Sequence, residues 1–409
     1  MNNANTKKIV FYIIGLLIMV GLILFIIKGV KDMVTGQFAE STTEATTEST
    51  TDFKDQIKAA HITEATTETT TETTTEATTE LTTEEIVEET TQELTVADDI
   101  SSPFFLSLPQ SLDIKKGSTF YILDYISYID DVDRAPELTV DGEVNTSEVG
   151  VYPVTLTLTD DAGHTNIGRM TVRVVEEYSG GEGTARPKED FETFKSTYKN
   201  DNTSLGIDVS RWQESVDFNK VKEAGCDFVI IRIGGFDDGS QYTDRYFAEN
   251  IAGAKAAGLK VGIYWHAEEN SPEQVKENVD YMMTILGGES LDFPIAYDWE
   301  DFAHFPKYAM NSHDINNCFE TFYNAVHAYG YDACLYSSKN FLENVWTNEK
   351  GHYVWLANYV SSTSYAGTYY MWQQANTGTI PGVNGDVDFN VLYLDRFESE
   401  PGNYTSSPY

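Results

Sequence analysis

The sequence predicts a multidomain chain with four parts. These are an N-terminal transmembrane helix, a disordered Thr/Glu stalk, a small β-sandwich, and a C-terminal α/β domain built on a parallel sheet or barrel. Three observations carry this expectation. The chain has 409 residues, more than one ordinary domain holds. Its composition changes along its length, from an uncharged apolar run to a Thr/Glu tract and then to two segments rich in large apolar side chains. Its periodicity changes too, from short strand-like runs after residue 98 to alternating strands and helices after residue 204.

The first element is residues 1–35. Lys7 and Lys8 precede the uncharged run 9–27, and Lys28 follows it. As a helix this run reaches about 28 Å, close to the ~30 Å hydrocarbon core of a bilayer. A cleaved signal peptide has a shorter apolar region followed by an A-x-A-like site. Residues 33–40 offer only Gln37-Phe38-Ala39, so an uncleaved single-pass anchor is expected. Lys7 and Lys8 are balanced by Lys28 and Lys31, so side-chain charge alone does not orient the helix.

Residues 36–97 form the expected linker. Between 41 and 97 lie 22 Thr and 12 Glu, and fourteen acids face two lysines. Such a segment cannot bury enough apolar surface to offset its chain entropy, and its self-repulsion extends it. A stalk and a plain solvated linker are nearly the same reading. Over the whole chain 65 acids against 27 bases leave a net charge of −38, which excludes a nucleic-acid partner. Three cysteines exclude a disulfide scaffold.

Residues 98–177 read as all-β. Apolar or alternating runs at 104–108, 119–122, 150–158 and 169–175 are separated by Lys116-Gly117, Asp130-Asp131, Asp141-Gly142 and Asp160-Asp161-Ala162-Gly163. The clustered Asp residues fit no EF-hand spacing and read as turn formers. Lys115-Lys116-Gly117, the stretch from Thr146 to Val154, and Thr159-Asp160-Asp161-Ala162-Gly163-His164 resemble the bacterial immunoglobulin-like repeats of surface proteins. Residues 178–203 are polar, contain Gly180-Gly181-Glu182-Gly183, and read as a second linker.

From residue 204 to 396 strands alternate with helices. Strands are expected at 205–209, 227–233, 260–267, 293–299, 333–337, 353–358 and 369–374. Helices are expected at 218–224, 244–257, 272–286 and 311–329, each with apolar spacing near 3.6. In such folds working residues sit at the C-terminal ends of strands. That rule selects Asp208, Asp298, Glu300 and Asp388. Strand alternation puts Asp298 and Glu300 on one face with Trp299 opposite. Two neighbouring carboxylates cannot both ionise freely, so one pKa rises, as glycoside hydrolysis requires of its acid. A lone strand-end Asp is as often a helix cap, so the pair carries more weight than Asp208 alone. Tyr264, Trp265, Tyr336, Trp355, Tyr359 and Trp372 are sugar-stacking candidates. No zinc spacing and no Gly-x-Ser-x-Gly occurs, so no metal or cofactor is implied. Cys318 and Cys334 could pair outside a cell, and Cys226 reads as a buried small side chain.

Several ordered motifs give this domain a resemblance. Gly206-Ile207-Asp208-Val209-Ser210-Arg211-Trp212-Gln213, Phe228-Val229-Ile230-Ile231-Arg232, Gly262-Ile263-Tyr264-Trp265-His266-Ala267, Asp298-Trp299-Glu300, Trp372-Gln373-Gln374 and Gly385-Asp386-Val387-Asp388-Phe389-Asn390 are similar to the family 25 glycoside hydrolases. Trp265 stands where that family commonly has His. The resemblance implies a flattened β/α barrel that cleaves the β-1,4 bond between N-acetylmuramic acid and N-acetylglucosamine. It makes Glu300 the general acid/base and assigns Asp298 to the substrate 2-acetamido group. Asp208 and Asp388 would complete an acidic floor, and Tyr264, Tyr336, Trp355, Tyr359 and Trp372 would bind substrate.

The expected whole is a single-pass membrane protein whose hydrolase faces the cell wall. Its partners would be peptidoglycan glycan strands and, through the N-terminal helix, the membrane. A non-catalytic wall-binding protein is the alternative. Residues 397–409 form a tail without a Leu-Pro-x-Thr-Gly sorting signal.

Overall fold

The computed structural model describes residues 94–178, 188–348 and 350–397. The expected transmembrane helix, nearly all of the stalk and the C-terminal tail lie outside the described residues. Among the described residues, no helix is long and apolar enough to cross a membrane.

The first module is a small β-sandwich. Strands β1 (Phe104–Ser107) and β3 (Ser127–Ile129) pair antiparallel. Strands β2 (Ser111–Lys115), β4 (Glu137–Asp141), β5 (Gly150–Thr159) and β6 (Thr165–Val175) form a four-stranded sheet in the order β2-β6-β5-β4. On β5, Val154, Leu156 and Leu158 are buried while the residues between them are half-buried, the period-two pattern of a one-sided sheet. The clustered Asp residues do shape turns. Asp130 Oδ1 accepts from the Val132 and Asp133 amides at 3.0 and 2.7 Å, and Asp160 Oδ1 accepts from the His164 amide at 2.8 Å. The run 119–122 is not a strand. It leads into a 3-10 turn, Ile122–Asp124.

The expected linker 178–203 is corrected for its second half. Residues 188–203 fold onto the C-terminal module. β7 (Glu189–Asp190) is followed by helix α1 (Phe191–Tyr198), capped by Asp190, whose side chain accepts from the Glu192 and Thr193 amides. Phe191 and Phe194 are buried at helical spacing, and their rings pack against Phe389 at 5.3 and 4.8 Å. Two apolar anchors among polar neighbours suffice to dock so short a helix.

The C-terminal module is a closed barrel. Its strands are β8 (Thr203–Val209), β9 (Phe228–Asp237), β11 (Lys260–Ala267), β12 (Ile295–Trp299), β13 (Ala333–Ser338), β14 (Tyr353–Ala357), β15 (Met371–Thr379) and β16 (Val387–Tyr393). They pair in that order, and β16 pairs back to β8. All pairings are parallel except those of β16, which runs antiparallel to both β15 and β8. A short strand β10 (Ser240–Thr243) extends β9 as a hairpin.

Helices α2 (Phe218–Glu223), α3 (Phe247–Ala256), α4 (Pro272–Leu286), α5 (Ser312–Ala328), α6 (Lys339–Asn344) and α7 (Leu394–Phe397) follow strands. Helix α4 shows why the sequence specifies both its ends. Ser271 caps the Gln274 amide, Pro272 sits in the first turn, and Gly287 stops the helix at φ 62°, a left-handed position.

Strand alternation divides the core in two. Phe228, Ile230, Ala296, Cys334, Tyr336, Trp355 and Met371 fill the barrel interior. Val229, Ile231, Ile295, Tyr297, Trp299, Leu335 and Leu356 face outward and pack under the helices. Gly206 is needed inside, because a Cβ there would lie 2.4 Å from the Phe228 ring. Cys334 belongs to the interior and Cys318 to the outer layer, and all three cysteines are free, so the possible 318–334 pairing is not formed.

The sandwich docks on the barrel next to the end of β12. Ser127 donates its hydroxyl to the Phe302 carbonyl. Ser312 N–H donates to the Asp130 carbonyl at 2.8 Å, and Asn311 Nδ2 donates to the Val132 carbonyl at 2.6 Å. Arg134 makes a two-pronged contact with Asp314 at 2.6 and 2.8 Å. Asn311 and Asp314 are the two partners of the capping box of α5, so the same residues start the helix and bind the neighbouring module.

Glu269 is a buried acid in the outer layer, and it is 0% exposed. Trp265 Nε1 and Asn278 Nδ2 each donate to its Oε1 at 2.7 Å, and Trp299 Nε1 donates to its carbonyl at 3.1 Å. Burial raises its pKa from 4.5 to about 7 despite these donors. A raised acid stabilises the fold fully below its unfolded pKa and loses that contribution as pH rises through the folded one. Stability should therefore fall by about 3 kcal/mol between about pH 4.5 and 7 from this group alone. Urea unfolding across that range should show a flatter profile in Glu269→Gln. An unchanged slope would mean that Glu269 does not titrate there.

Candidate active site

The end of β8 and the start of β16 meet in register, Asp208 opposite Asp388. On the other side of the barrel His266, Asp298 and Tyr336 stand in register across β11, β12 and β13. Since residues i and i+2 share a face, Ala296 and Asp298 point inward while Tyr297 and Trp299 point outward. Glu300 follows directly, past the last strand residue. The result is a cleft of about 350 Å³ whose lining includes Asp208, Tyr264, Asp298, Glu300, Tyr336, Trp355, Tyr359 and Asp388.

The floor is a hydrogen-bonded polar network. Asp208 Oδ2 accepts from Gln373 Nε2 at 3.0 Å and from Asn390 Nδ2 at 2.7 Å. Gln373 Oε1 accepts from the hydroxyls of Tyr336 and Tyr359, both at 2.8 Å. Asn390 Oδ1 accepts from Trp355 Nε1 at 2.8 Å. The Trp355 ring is braced by Tyr336 at 4.6 Å and by Tyr264 at 6.3 Å, both edge-on. Each amide thus uses its nitrogen on Asp208 and its oxygen on an aromatic side chain. That assignment fixes both the acid and the ring.

The charge of Asp208 raises the pKa of the other three acids. Burial lifts Asp208, and the two amide donors pull it back. Burial, then the charges of Glu300 and Asp208, push Asp298 well above the usual carboxylate range, while Arg232 opposes this. Burial and Asp208 do the same to Asp388. Glu300 is open to solvent at the cleft mouth, yet the walls exclude enough water that desolvation is still its largest influence. With the charge of Asp208 added, its pKa rises to about 7. Four carboxyls this close titrate as a set, with fewer than four charges at neutral pH. Asp298 Oδ1 has no hydrogen-bond partner, although Asp298 is 4% exposed.

The structure brings together eight of the nine residues singled out in the sequence as catalytic or substrate-binding. The ninth, Trp372, lies elsewhere. It faces outward on β15, is buried against Tyr198, and donates Nε1 to the Asn358 carbonyl at 2.8 Å. Trp265 also faces outward, onto Glu269. Both are one residue out of phase with an inward side chain. Trp355 and Tyr336 are themselves almost fully buried, so they shape the floor, while Tyr359 is the aromatic wall residue most open to the cleft.

Sequence reasoning gave no role to Gln213, Gln373, Asn376, Asp386 or Asn390, which line the cleft or hold its floor. It also passed over Arg232. This buried cation donates Nε to Asp244 at 2.8 Å and lowers the pKa of both Asp298 and Glu300. A charge inside the apolar run 228–233, in phase with inward Phe228 and Ile230, was the available signal.

Comparison with known proteins agrees with the resemblance. Residues 207–383 match the family model of glycosyl hydrolases family 25, and residues 106–174 match that of the bacterial surface protein Ig-like domain. The chain therefore carries a family 25 domain behind an Ig-like domain. The autolytic lysozyme of Clostridium acetobutylicum is 32% identical over 194 residues, covering 47% of this chain and 55% of that protein. Lysozyme M1 of Streptomyces globisporus is 30% identical over 198 residues, covering 45% of this chain and 66% of that protein. The chain thus spans between about half and two thirds of the length of these curated relatives. The solved bacterial lysozyme from Streptomyces coelicolor aligns with a TM-score of 0.40 at 26% identity, covering 47% of this chain and 92% of that one.

The network makes a stability prediction. Asn390→Ala leaves Trp355 Nε1 and one lone pair of Asp208 unpartnered at a site that is 0% exposed. Each buried group left alone costs roughly 1–3 kcal/mol, so with two of them the variant should lose about 2–6 kcal/mol in denaturant unfolding. A loss below about 1 kcal/mol would mean that water replaces the amide there.

Proposed function

We propose that the barrel hydrolyses the β-1,4 bond between N-acetylmuramic acid and N-acetylglucosamine in peptidoglycan. Its carrier would be a membrane anchor within residues 1–35 that presents the hydrolase to the wall. The observation that supports the chemistry best is the Asp298 and Glu300 pair on one strand end, with Glu300 near pH 7 in a cleft of acids and aromatics. An acid with that pKa keeps about half of its population protonated at neutral pH and both gives and regains the proton readily.

Glu300 is the general acid in this reading. It reaches solvent and substrate at the cleft mouth and would protonate the leaving glycosidic oxygen. Asp298 sits deeper in the cleft lining, and in this reading its carboxyl would accept the N–H of a substrate 2-acetamido group. Held so, the acetamido carbonyl can lie against the anomeric carbon. Asp208 raises Glu300, and with Asp388 it keeps the site acidic, which favours a developing positive charge on the sugar. Tyr359 offers the glycan a wall with its hydroxyl already fixed by Gln373. Support for the anchor is the uncharged run 9–27, and support for a wall-facing placement is the substrate itself.

Glu300→Gln should lower turnover by about 10²–10⁴-fold with the fold intact by circular dichroism. Because the acid must be protonated, the wild-type rate should fall as pH rises through about 7. The full chain should be incubated with purified peptidoglycan and the products reduced with borohydride. New muramitol ends support the assignment. Glucosaminitol ends would make the enzyme a glucosaminidase, and no new ends would leave a binding module.

A further inference from the structure

The Ig-like module buries carboxylate oxygens that its turns do not use. Asp99 lies just ahead of β1, and Asp130 and Asp131 lie just after β3. Asp99 and Asp130 are 6% and 3% exposed, and Asp131 is half-buried. One carboxylate oxygen from each of the three lies within 4.8 Å of the other two. Asp99 Oδ1, Asp130 Oδ2 and Asp131 Oδ1 are all shielded from solvent and accept no hydrogen bond. A buried carboxylate oxygen without a donor is costly, and three together repel one another as well. A cation between them relieves both.

We propose that Asp99, Asp130 and Asp131 bind one Ca²⁺ ion. The unpartnered donors are all carboxylate oxygens, the hard ligands that Ca²⁺ prefers. A second trio, Asp99, Asp160 and His164, would better suit a softer ion such as Zn²⁺. There, however, both Asp160 oxygens are already engaged, Oδ1 by the His164 amide at 2.8 Å and Oδ2 by its Nδ1 at 3.1 Å. The weak His164 contact to Asp99 Oδ1, at 3.6 Å, does not saturate that oxygen.

The ligands come from separate chain segments, so the ion acts as a crosslink. It ties the start of the module to the loop after β3. That loop is the one that grips the barrel, since the Asp130 carbonyl accepts from Ser312 and the Val132 carbonyl from Asn311. The proposal does not depend on the chemistry assigned to the cleft.

The test uses the full chain in detergent, stripped with a chelator and titrated with CaCl₂ by calorimetry and by thermal unfolding. One equivalent should bind with a dissociation constant of roughly 10⁻⁴–10⁻³ M, the range of extracellular modules, and raise the melting temperature. Asp130→Asn keeps the Oδ1 acceptor for its turn, and Asp131→Asn keeps the size of a half-buried side chain whose Oδ1 accepts no hydrogen bond, so both variants should fold. Each should weaken Ca²⁺ binding at least about tenfold and abolish the thermal shift, as loss of a charged ligand does. Glu300→Gln should bind Ca²⁺ like the wild type, which separates this site from the acidic cleft. No saturation below about 10 mM would overturn the proposal, well beyond the weakest such modules. Unchanged affinity in Asp131→Asn and Asp130→Asn, or selection of Zn²⁺ over Ca²⁺, would overturn it equally.

Discussion

The cleft depends on how Asp208 is held. It sits on β8, the strand whose pairings with β9 and β16 close the barrel. Its carboxylate accepts one amide from β15 and one from β16, and those amides in turn hold Tyr336 on β13, Trp355 on β14 and Tyr359 just beyond it. One side chain at the seam therefore sets the position of an acid on one wall and aromatic rings on the opposite one. A closed barrel makes this feasible because inward residues on adjacent strands come level at regular intervals.

The same arrangement stores the electrostatic work that catalysis needs. Desolvation is the largest influence on all four cleft acids, and their mutual repulsion adds to it for Asp298, Glu300 and Asp388. Arg232 counteracts this for Asp298 and Glu300 from within the barrel wall, while its Nε is engaged by Asp244. The balance leaves Glu300 at the solvent edge with a pKa near 7 and Asp298 deeper and higher. Two carboxyls two residues apart thus receive different environments from a single strand end, and the proposed roles of proton donor and fixed acceptor rest on that difference.

Much of this was legible in the sequence. The strand 260–267 and the helix 272–286 have their expected bounds, because alternation, a Ser-Pro start and a Gly stop all agree there. The acidic set was legible because strand ends carry function and Asp-x-Glu has strand phase. What was not legible is phase where apolar runs are continuous. In Tyr370-Met371-Trp372-Gln373 every residue is buried, so composition does not tell which face looks inward, and a shift of one residue exchanges Trp372 for Gln373. Strand β16 was read only as a motif, since Asp388 and Asn390 look like turn residues until their partners on β8 and β15 are known. Helix α1 was hidden because Phe191 and Phe194 are its only buried residues.

The docking of the Ig-like module also bears on the cleft. Glu300 has no strand partner beyond it, so the path of the chain after β12 must be fixed by other contacts. Trp299 supplies one, its ring packed against Phe302, Phe305 and Tyr308 of the kinked 3-10 segment Phe302–Tyr308. Ser127 of the sandwich supplies another, at the Phe302 carbonyl. Helix α5 supplies a third, since Asn311 and Asp314 at its start are bound by Val132 and Arg134. The residue proposed to donate the proton is thus followed within two positions by a hydrogen bond from the neighbouring module. A spacer that only added length would have no reason to touch that segment. This one helps set where Glu300 stands.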